Sequence, residues 1–592
     1  GPYMSPMPIG ASIAMLLSLF VALTITPYLG YIFLREKEKA GKKEKPHKDL
    51  TDLPIYRIYR WIEQPLIESK WKRWTFLGLT FFLLIISMSL FLTKSVAVKM
   101  LPFDNKNEFQ IVIDMPEGSS LEQTAGVTRE IAQYISEQDE VVHYQSYVGT
   151  AAPITFNGLV RHYDLRSNAH LADIQVNLTD KHDRTKQSHD IVTSYRAGVQ
   201  AIAEKYGANV KLVEVPPGPP VLSTLVAEVY GPDHKQQIKI AGQMEELLRN
   251  TVDVVDIDRM VEEDEREFAL EINKEKAMMY GVSPHQISSN IQTAMSDNPV
   301  AYLYSERAND QVEINLGLPE QDKTSVSQVQ NLRVGSQKGE MIPVGELVDV
   351  KEKSKAKSIY RKNQKRVVYV LADMAGELES PAYAILGMTD KIKNLAVPTG
   401  YKVEELYMSP PDFLDNYAVK WDGEWQITLE VFRDLGVAFL GVIIIIYVLI
   451  VGWFQNFKAP VVMMVAIPLS MIGIILGHWM MGAFFTATSF IGMIALAGIM
   501  VRNSVLLIDF VNLRLKDGVP LNQAVIEAGA VRTVPILLTA GTVVIGAFVI
   551  LFDPIFQGLA ISLMGGTIVS TFLTLIVVPL VYYMIEKKKY SA

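Results

Sequence analysis

Apolar positions fall into two regimes along this chain. Unbroken runs occupy residues 9–34 and 74–93 and dominate 434–585, whereas 95–430 mixes apolar and polar positions as a soluble domain does. A helix that crosses a bilayer needs about 20 consecutive apolar residues. That length selects seven segments: 9–34, 74–93, 435–454, 460–481, 486–511, 534–551 and 559–584. Reading the last five as buried helices of a soluble protein fails, because no amphipathic element is left to cover them.

The Lys/Arg bias of the short loops then sets an orientation. Arg35, Lys37, Lys39, Lys42, Lys43, Lys45 and Lys48 follow the first segment, so that side is cytoplasmic. Alternation places 95–430 outside the cell membrane and returns Lys458, the Arg514–Arg532 loop and Lys587-Lys588-Lys589 to the inside. The opposite turns, 482–485 and 553–557, carry no Lys or Arg. Within 54–70, Ile55, Ile58, Tyr59, Ile62 and Leu66 recur at helical spacing with Arg57 and Arg60 opposite, which predicts an amphipathic helix on the inner membrane surface.

Inside the soluble stretch the period switches between two and 3.6 residues. Strands are expected at 109–115, 141–147, 172–178 and 209–215, with helices at 121–136, capped by Ser119 or Ser120, and at 188–205. A second round is expected from strands 224–230 and 254–260, helix 236–249, strand 268–272 and a helix near 283–296, closing with 366–374, 381–395 and 402–406. Such pairing suggests ferredoxin-like βαβ subdomains. The join Pro216-Pro217-Gly218-Pro219-Pro220 reads as a stiff linker, and residues 297–360 as an inserted module with a hairpin around 335–340. The fold class is thus a membrane α-helical bundle of seven spans plus an extracytoplasmic α+β domain. Its parts are 1–34, a loop with the interfacial helix at 35–73, 74–94, 95–430 and 431–592.

Composition narrows the chemistry. A net charge of −8 and no basic stripe among aromatics argue against a nucleic-acid partner. With no cysteine among 592 residues, disulfides and thiolate metal sites are excluded. The chain opens Gly1-Pro2-Tyr3-Met4 without an initiator Met or a basic n-region, which predicts a piece cut from a longer protein rather than a signal peptide. No phosphate loop and no catalytic constellation is present, so an enzyme is not expected, and any transport must draw on an ion gradient or a partner.

The most informative residue is Arg502, deep in the 486–511 segment. A charge at mid-span costs at least about 2.5–3.5 kcal/mol, so Arg502 is expected to face a bundle interior and pair there. Asp509 lies on the same face two turns on, and the next span brings Arg532 and Thr539. Other candidates are weaker: Asn512 as a solvated cap, His478 as an interfacial polar residue, and His182 and His189 in a charged, solvated loop. Met260, Met278, Met279, Met341, Met374 and Met408 read as ordinary packing unless they converge on a soft-metal path.

Taken together, these motifs resemble the resistance–nodulation–division (RND) transporters, in detail the hydrophobe/amphiphile efflux branch. Gly1-Pro2-Tyr3-Met4 with Pro8-Ile9-Gly10-Ala11-Ser12 is similar to the start of the sixth helix of that family, and Pro216-Pro217-Gly218-Pro219-Pro220-Val221 to the junction of two porter subdomains. Lys274-Glu275-Lys276-Ala277 with Tyr280-Gly281-Val282 is similar to the segment before the docking insertion. Gly498-Ile499-Met500-Val501-Arg502-Asn503-Ser504 through Asp509-Phe510 is similar to the tenth helix, and Arg532-Thr533-Val534-Pro535 through Thr539 to the eleventh.

The resemblance implies helices six to twelve of a proton-coupled pump in a bacterial inner membrane, with its large domain periplasmic. It implies a proton-relay set of Arg502, Asn503, Thr539, Arg532 and Asp509. Arg502 stands where many relatives carry a Lys facing two aspartates of helix four, so it would act as a fixed counter-ion. Helix four is not in this chain, and the N-terminal half, in the same or a separate chain, becomes an expected partner. Also implied are a homotrimer, a periplasmic adaptor, an outer-membrane channel and the surrounding lipid, with no cofactor beyond the proton gradient. The expected cargo is amphiphilic or drug-like. The alternatives are heavy-metal efflux within the same superfamily and a non-transporting scaffold that modulates intact pumps.

Overall fold

The strand predicted from residue 109 starts at Glu108 and belongs to the first of the two larger sheets in the computed structural model. The structure describes residues 6–34 and 54–590 except 216, 217, 219, 297 and 377. The basic run 35–48, Gly1-Pro2-Tyr3-Met4 and three prolines of the 216–220 join lie outside them. The chain divides into two units, Gly1–Gln64 and Pro65–Ala592. In the first, Pro6–Leu34 is one continuous helix, apolar throughout and exposed along its length. Pro54–Glu68 forms the expected amphipathic helix, with Ile55, Ile58, Tyr59, Ile62 and Leu66 on one face.

The first sheet contains β1 (Glu108–Asp114), β2 (Val141–Val148), β3 (Leu171–Leu178) and β4 (Asn209–Val213) in the order β2-β3-β1-β4, every pair antiparallel. Helices Leu121–Ser136 and Ser188–Tyr206 connect β1 to β2 and β3 to β4. Ser120 caps the first in a reciprocal box with Gln123, satisfying two backbone donors that a helix start leaves unpaired. Phe109, Ile111 and Ile113 from β1 pack with Ile131, Ile135, Ile174 and Val199 to form the core of this layer.

The second sheet has five strands, β5 (Leu225–Tyr230), β6 (Val254–Arg259), β7 (Val368–Met374), β8 (Val403–Leu406) and β9 (Tyr417–Gly423), ordered β8-β9-β5-β7-β6. Only β8 and β9 run parallel among its pairs. Helices His234–Arg249 and Pro381–Ile392 cover it, around Leu225, Val229, Ile240, Met244, Val370, Ile385 and Trp421.

One expected strand goes elsewhere. Arg266–Ile272 does not join this sheet but pairs antiparallel with Val348–Ser354 from Ile272↔Val348 to Arg266↔Ser354. These two strands form a stem, so the inserted module starts near 266 rather than 297. It has its own core of Ala277, Val282, Ile287, Val334, Ile342, Val344 and Leu347. The alternation of Arg266–Ile272 fits either partner; long-range pairing decides it.

Seven helices are long and apolar enough to cross a membrane among the described residues: Ile9–Phe33, Lys70–Leu92, Glu424–Phe454, Lys458–Met481, Ala487–Lys516, Leu521–Phe552 and Gln557–Lys587. Two begin well before their apolar runs. Glu424–Phe454 starts directly on β9, and Leu521–Phe548 carries a polar first stretch in which buried Glu527 accepts from Arg514 at 2.7 Å. Gln557–Tyr590 is the central helix, packed on Ala466–Met481, Ala487–Lys516 and Leu521–Phe548. Gly473 and Gly477 face Gly565 there, so two backbones approach where no side chain intervenes.

Candidate functional site

The five residues of the expected relay do not gather into one cluster. Arg502 and Asp509 are both exposed on helix Ala487–Lys516, on one face but about 10 Å apart along the axis, too far for an ion pair. Asn503 is buried. Thr539 is half-buried and donates to the Ile536 carbonyl at 2.9 Å. Arg532 lies half-buried with its guanidinium 5.1 Å from the centre of the Phe510 ring, and its buried Nε–H has no acceptor. No ion pair or hydrogen bond joins any two of the five among the described residues. Arg502 therefore does not face the interior of this bundle, because the three helices around Gln557–Tyr590 close against one another with apolar and small residues and leave the guanidinium on the outer face.

His478 is fully buried within the protein: its ring nitrogens lie 2.8 Å from the Ile474 carbonyl and from Ser489 Oγ. A carbonyl only accepts, so Nδ1 carries the proton and Nε2 accepts from Ser489. Asn512 is held by Tyr582, whose hydroxyl donates to it at 2.7 Å. The six methionines do not converge: Met278, Met279 and Met341 are exposed in the insert, Met408 is exposed, Met260 is half-buried just after β6, and Met374 packs in the second core.

The densest buried chemistry sits where the two sheets meet. Lys211 on β4 donates to Asp114 on β1 and to Asp258 on β6, each at 2.6 Å. Arg196 pairs with Asp256 of β6. Arg161 grips Asp373, at the end of β7, with contacts of 2.7 and 3.4 Å, and Asp373 also accepts from Thr224 N and Oγ1. Burial opposes the Asp373 charge, but Arg161 and Thr224 hold its carboxyl well below the usual range. Three ion pairs, Arg161–Asp373, Arg196–Asp256 and Lys211–Asp258, thus cross the contact between the layers. Water can replace ion pairs on separation more readily than it can replace apolar packing, so such a contact suits units that move apart.

His189 belongs to this junction and not to a solvated loop. It stands in the first turn of helix Ser188–Tyr206, with Nδ1 2.6 Å from Glu214 and Nε2 2.6 Å from Glu379. The charged run around it hid this in the sequence. The Ser188 hydroxyl donates to the Asp104 carbonyl, 84 residues away, and holds the helix start inward.

The chain matches the AcrB/AcrD/AcrF family over residues 1–586. It is 24% identical over 593 residues to the swarming motility protein SwrC of Bacillus subtilis strain 168, covering 97% of this chain and 51% of that protein. It is 23% identical over 383 residues to the cobalt-zinc-cadmium resistance protein CzcA of Cupriavidus metallidurans, covering 63% of this chain and 34% of that one. A crystal structure of a heavy metal efflux pump shares the fold, with a TM-score of 0.74 and 20% identity over 90% of this chain and 52% of that one. The chain spans about half the length of the relatives it matches end to end.

Proposed function

The chain belongs to the AcrB/AcrD/AcrF family of RND transporters, and from that premise we propose that it works in a proton-driven pump exporting amphiphilic compounds from an inner membrane. Its sheet-bearing domain would face the periplasm, which the Lys/Arg distribution of the short loops supports. The β-α-β-β-α-β order of the first sheet supports reading that layer as a ferredoxin-like porter subdomain.

One observation carries the proposal: Arg502 is a mid-span cation on the outer face of a membrane-length helix, with no carboxylate against it among the described residues. In hydrocarbon that arrangement is costly, so the face acquires acidic company from further helices. In this reading Arg502 is the fixed counter-ion of titrating carboxylates. Asn503, Thr539 and Arg532 line their surroundings, and Asp509 sits nearer the inner surface. Trimer assembly and contacts with an adaptor and an outer-membrane channel belong to the same proposal.

Metal export is the second reading, favoured by the resistance functions in the names of CzcA and of the nickel and cobalt resistance protein CnrA of C. metallidurans. Co-expression with a complementary N-terminal half in a pump-deficient strain separates the two. Raised tolerance to cationic dyes and detergents, lost in Arg502→Ala, is expected. Tolerance to cobalt, zinc or cadmium alone would favour metal export, and no change in either would refute both.

A further inference from the structure

We propose that Glu214, His189 and Glu379, with Lys99, form a proton-binding latch that holds the two sheet layers together at their junction with the membrane helices. Each member comes from a different part of the molecule. Glu214 follows β4 of the first layer. Glu379 precedes helix Pro381–Ile392 of the second. Lys99 lies on the segment that leaves helix Lys70–Leu92, and its backbone N–H donates to the Phe485 carbonyl at the sheet end of the bundle. Lys99 Nζ donates to Glu379 at 3.1 Å and lies 4.3 Å from the Phe103 ring centre, while Phe103 stacks on His189 at 4.2 Å and 7°. Val98 accepts from Ser380 and donates to the Tyr383 hydroxyl, fastening the same segment to the second layer.

The imidazole touches a carboxylate of each layer, as Lys211 does with Asp114 and Asp258, but unlike that ammonium it bridges them only while both its nitrogens carry hydrogen. Remove one proton, and one of the two 2.6 Å contacts becomes a lone pair facing a carboxylate. Its neighbours do not take over that role. Arg161–Asp373, Arg196–Asp256 and Lys211–Asp258 also cross between the layers but reach neither Glu214 nor Glu379, Asp190 on the same helix is exposed, and Lys99 reaches Glu379 but makes no ion pair with Glu214 among the described residues.

Against the latch lies a partly open cavity lined by Lys99, Phe103, Arg196, Glu214 and Glu424. Buried polar atoms without a protein partner point to water in it: Glu214 Oε1, Glu424 Oε1, Arg161 Nε and Arg196 Nε. Water there gives the imidazole a route for gaining and losing its proton.

Burial works against the His189 charge, but the hydrogen bonds to Glu214 and Glu379 outweigh it and raise its pKa from 6.5 to about 9. Glu379 is correspondingly lowered to about 2, as His189 and Lys99 overcome its own burial. The sign follows: a raised pKa means the closing force is complete below about 6.5 and disappears as pH rises through about 9.

The absence of cysteine makes the test direct. Spin labels at Gln133→Cys, on the first layer, and Lys391→Cys, on the second, report the interlayer distance in the whole chain reconstituted in lipid nanodiscs. A single short distance is expected at pH 6, with a longer population growing in around pH 9. His189→Gln should show the longer population at every pH. Glu379→Gln should move the midpoint down by about 1–3 units, and His189→Arg should stay closed to pH 10. Circular dichroism checks that each variant is folded. The latch is refuted if folded His189→Gln or Glu379→Gln reproduces the wild-type distances and midpoint, or if the wild-type distance is constant across this range. None of these outcomes depends on what the pump carries.

Discussion

Arg161 and Asp373 are 212 residues apart in the chain and meet as a buried two-point ion pair between the sheet layers. Removing one partner leaves the other charged, buried and alone. Arg161→Ala is therefore expected to cost about 3–5 kcal/mol, while the double change Arg161→Met with Asp373→Leu should cost clearly less. Thermal unfolding of the purified chain measures both. Equal losses for the single and double changes would mean that the cost lies in losing the pair and not in stranding a charge.

Acid should loosen the first layer through Asp114. Burial pushes its carboxyl up, but Lys211 and Arg166 prevail and lower it from 3.8 to about 2. A depressed carboxylate adds stability that is complete above about pH 3.8 and is lost as pH falls toward about 2. Asp114→Asn should flatten that limb of the stability curve and lower the plateau at pH 6 by about 2 kcal/mol. A curve as steep as the wild type's would exclude this carboxylate as the cause.

Gly565→Ala tests the packing of the central helix. A Cβ there would stand 2.6 Å from the Gly473 carbonyl oxygen, so one of the two backbones must shift. The expected penalty is about 1–3 kcal/mol, seen as a lower aggregation temperature in detergent. Gly541→Ala, where a Cβ meets open space, should be neutral.

Charge at position 502 matters more than shape if the proposed relay holds. With a complementary half present, Arg502→Lys should retain most export and Arg502→Ala should lose at least about 90% of it, roughly 1.4 kcal/mol or more. Dye efflux from preloaded cells reads this out. Equal activity in the two variants would remove Arg502 from the mechanism.

The membrane helices were legible from residue types alone because about 20 apolar residues in a row have few other uses. The first sheet was legible too, since 109–115, 121–136 and 141–147 each carry one clean period. Arg266–Ile272 was not, because alternation says that a strand forms but not which strand it pairs with. His189 was missed for a related reason. Its neighbours in sequence, Lys186 and Asp190, are solvated, whereas its partners Glu214 and Glu379 are supplied by tertiary structure. Arg502 was recognised as costly at mid-span, but the face it occupies depends on how three other helices close.

Gly423 adopts φ +76°, and helix Glu424–Phe454 begins at the next residue, with no flexible connector after β9. At 1.5 Å per residue the helix is about 46 Å long. It and the five-stranded sheet thus move as one stiff crank: leaning the helix by about 5° would swing its far end by about 4 Å. A displacement deep in the lipid would therefore reach the second layer as rigid rotation.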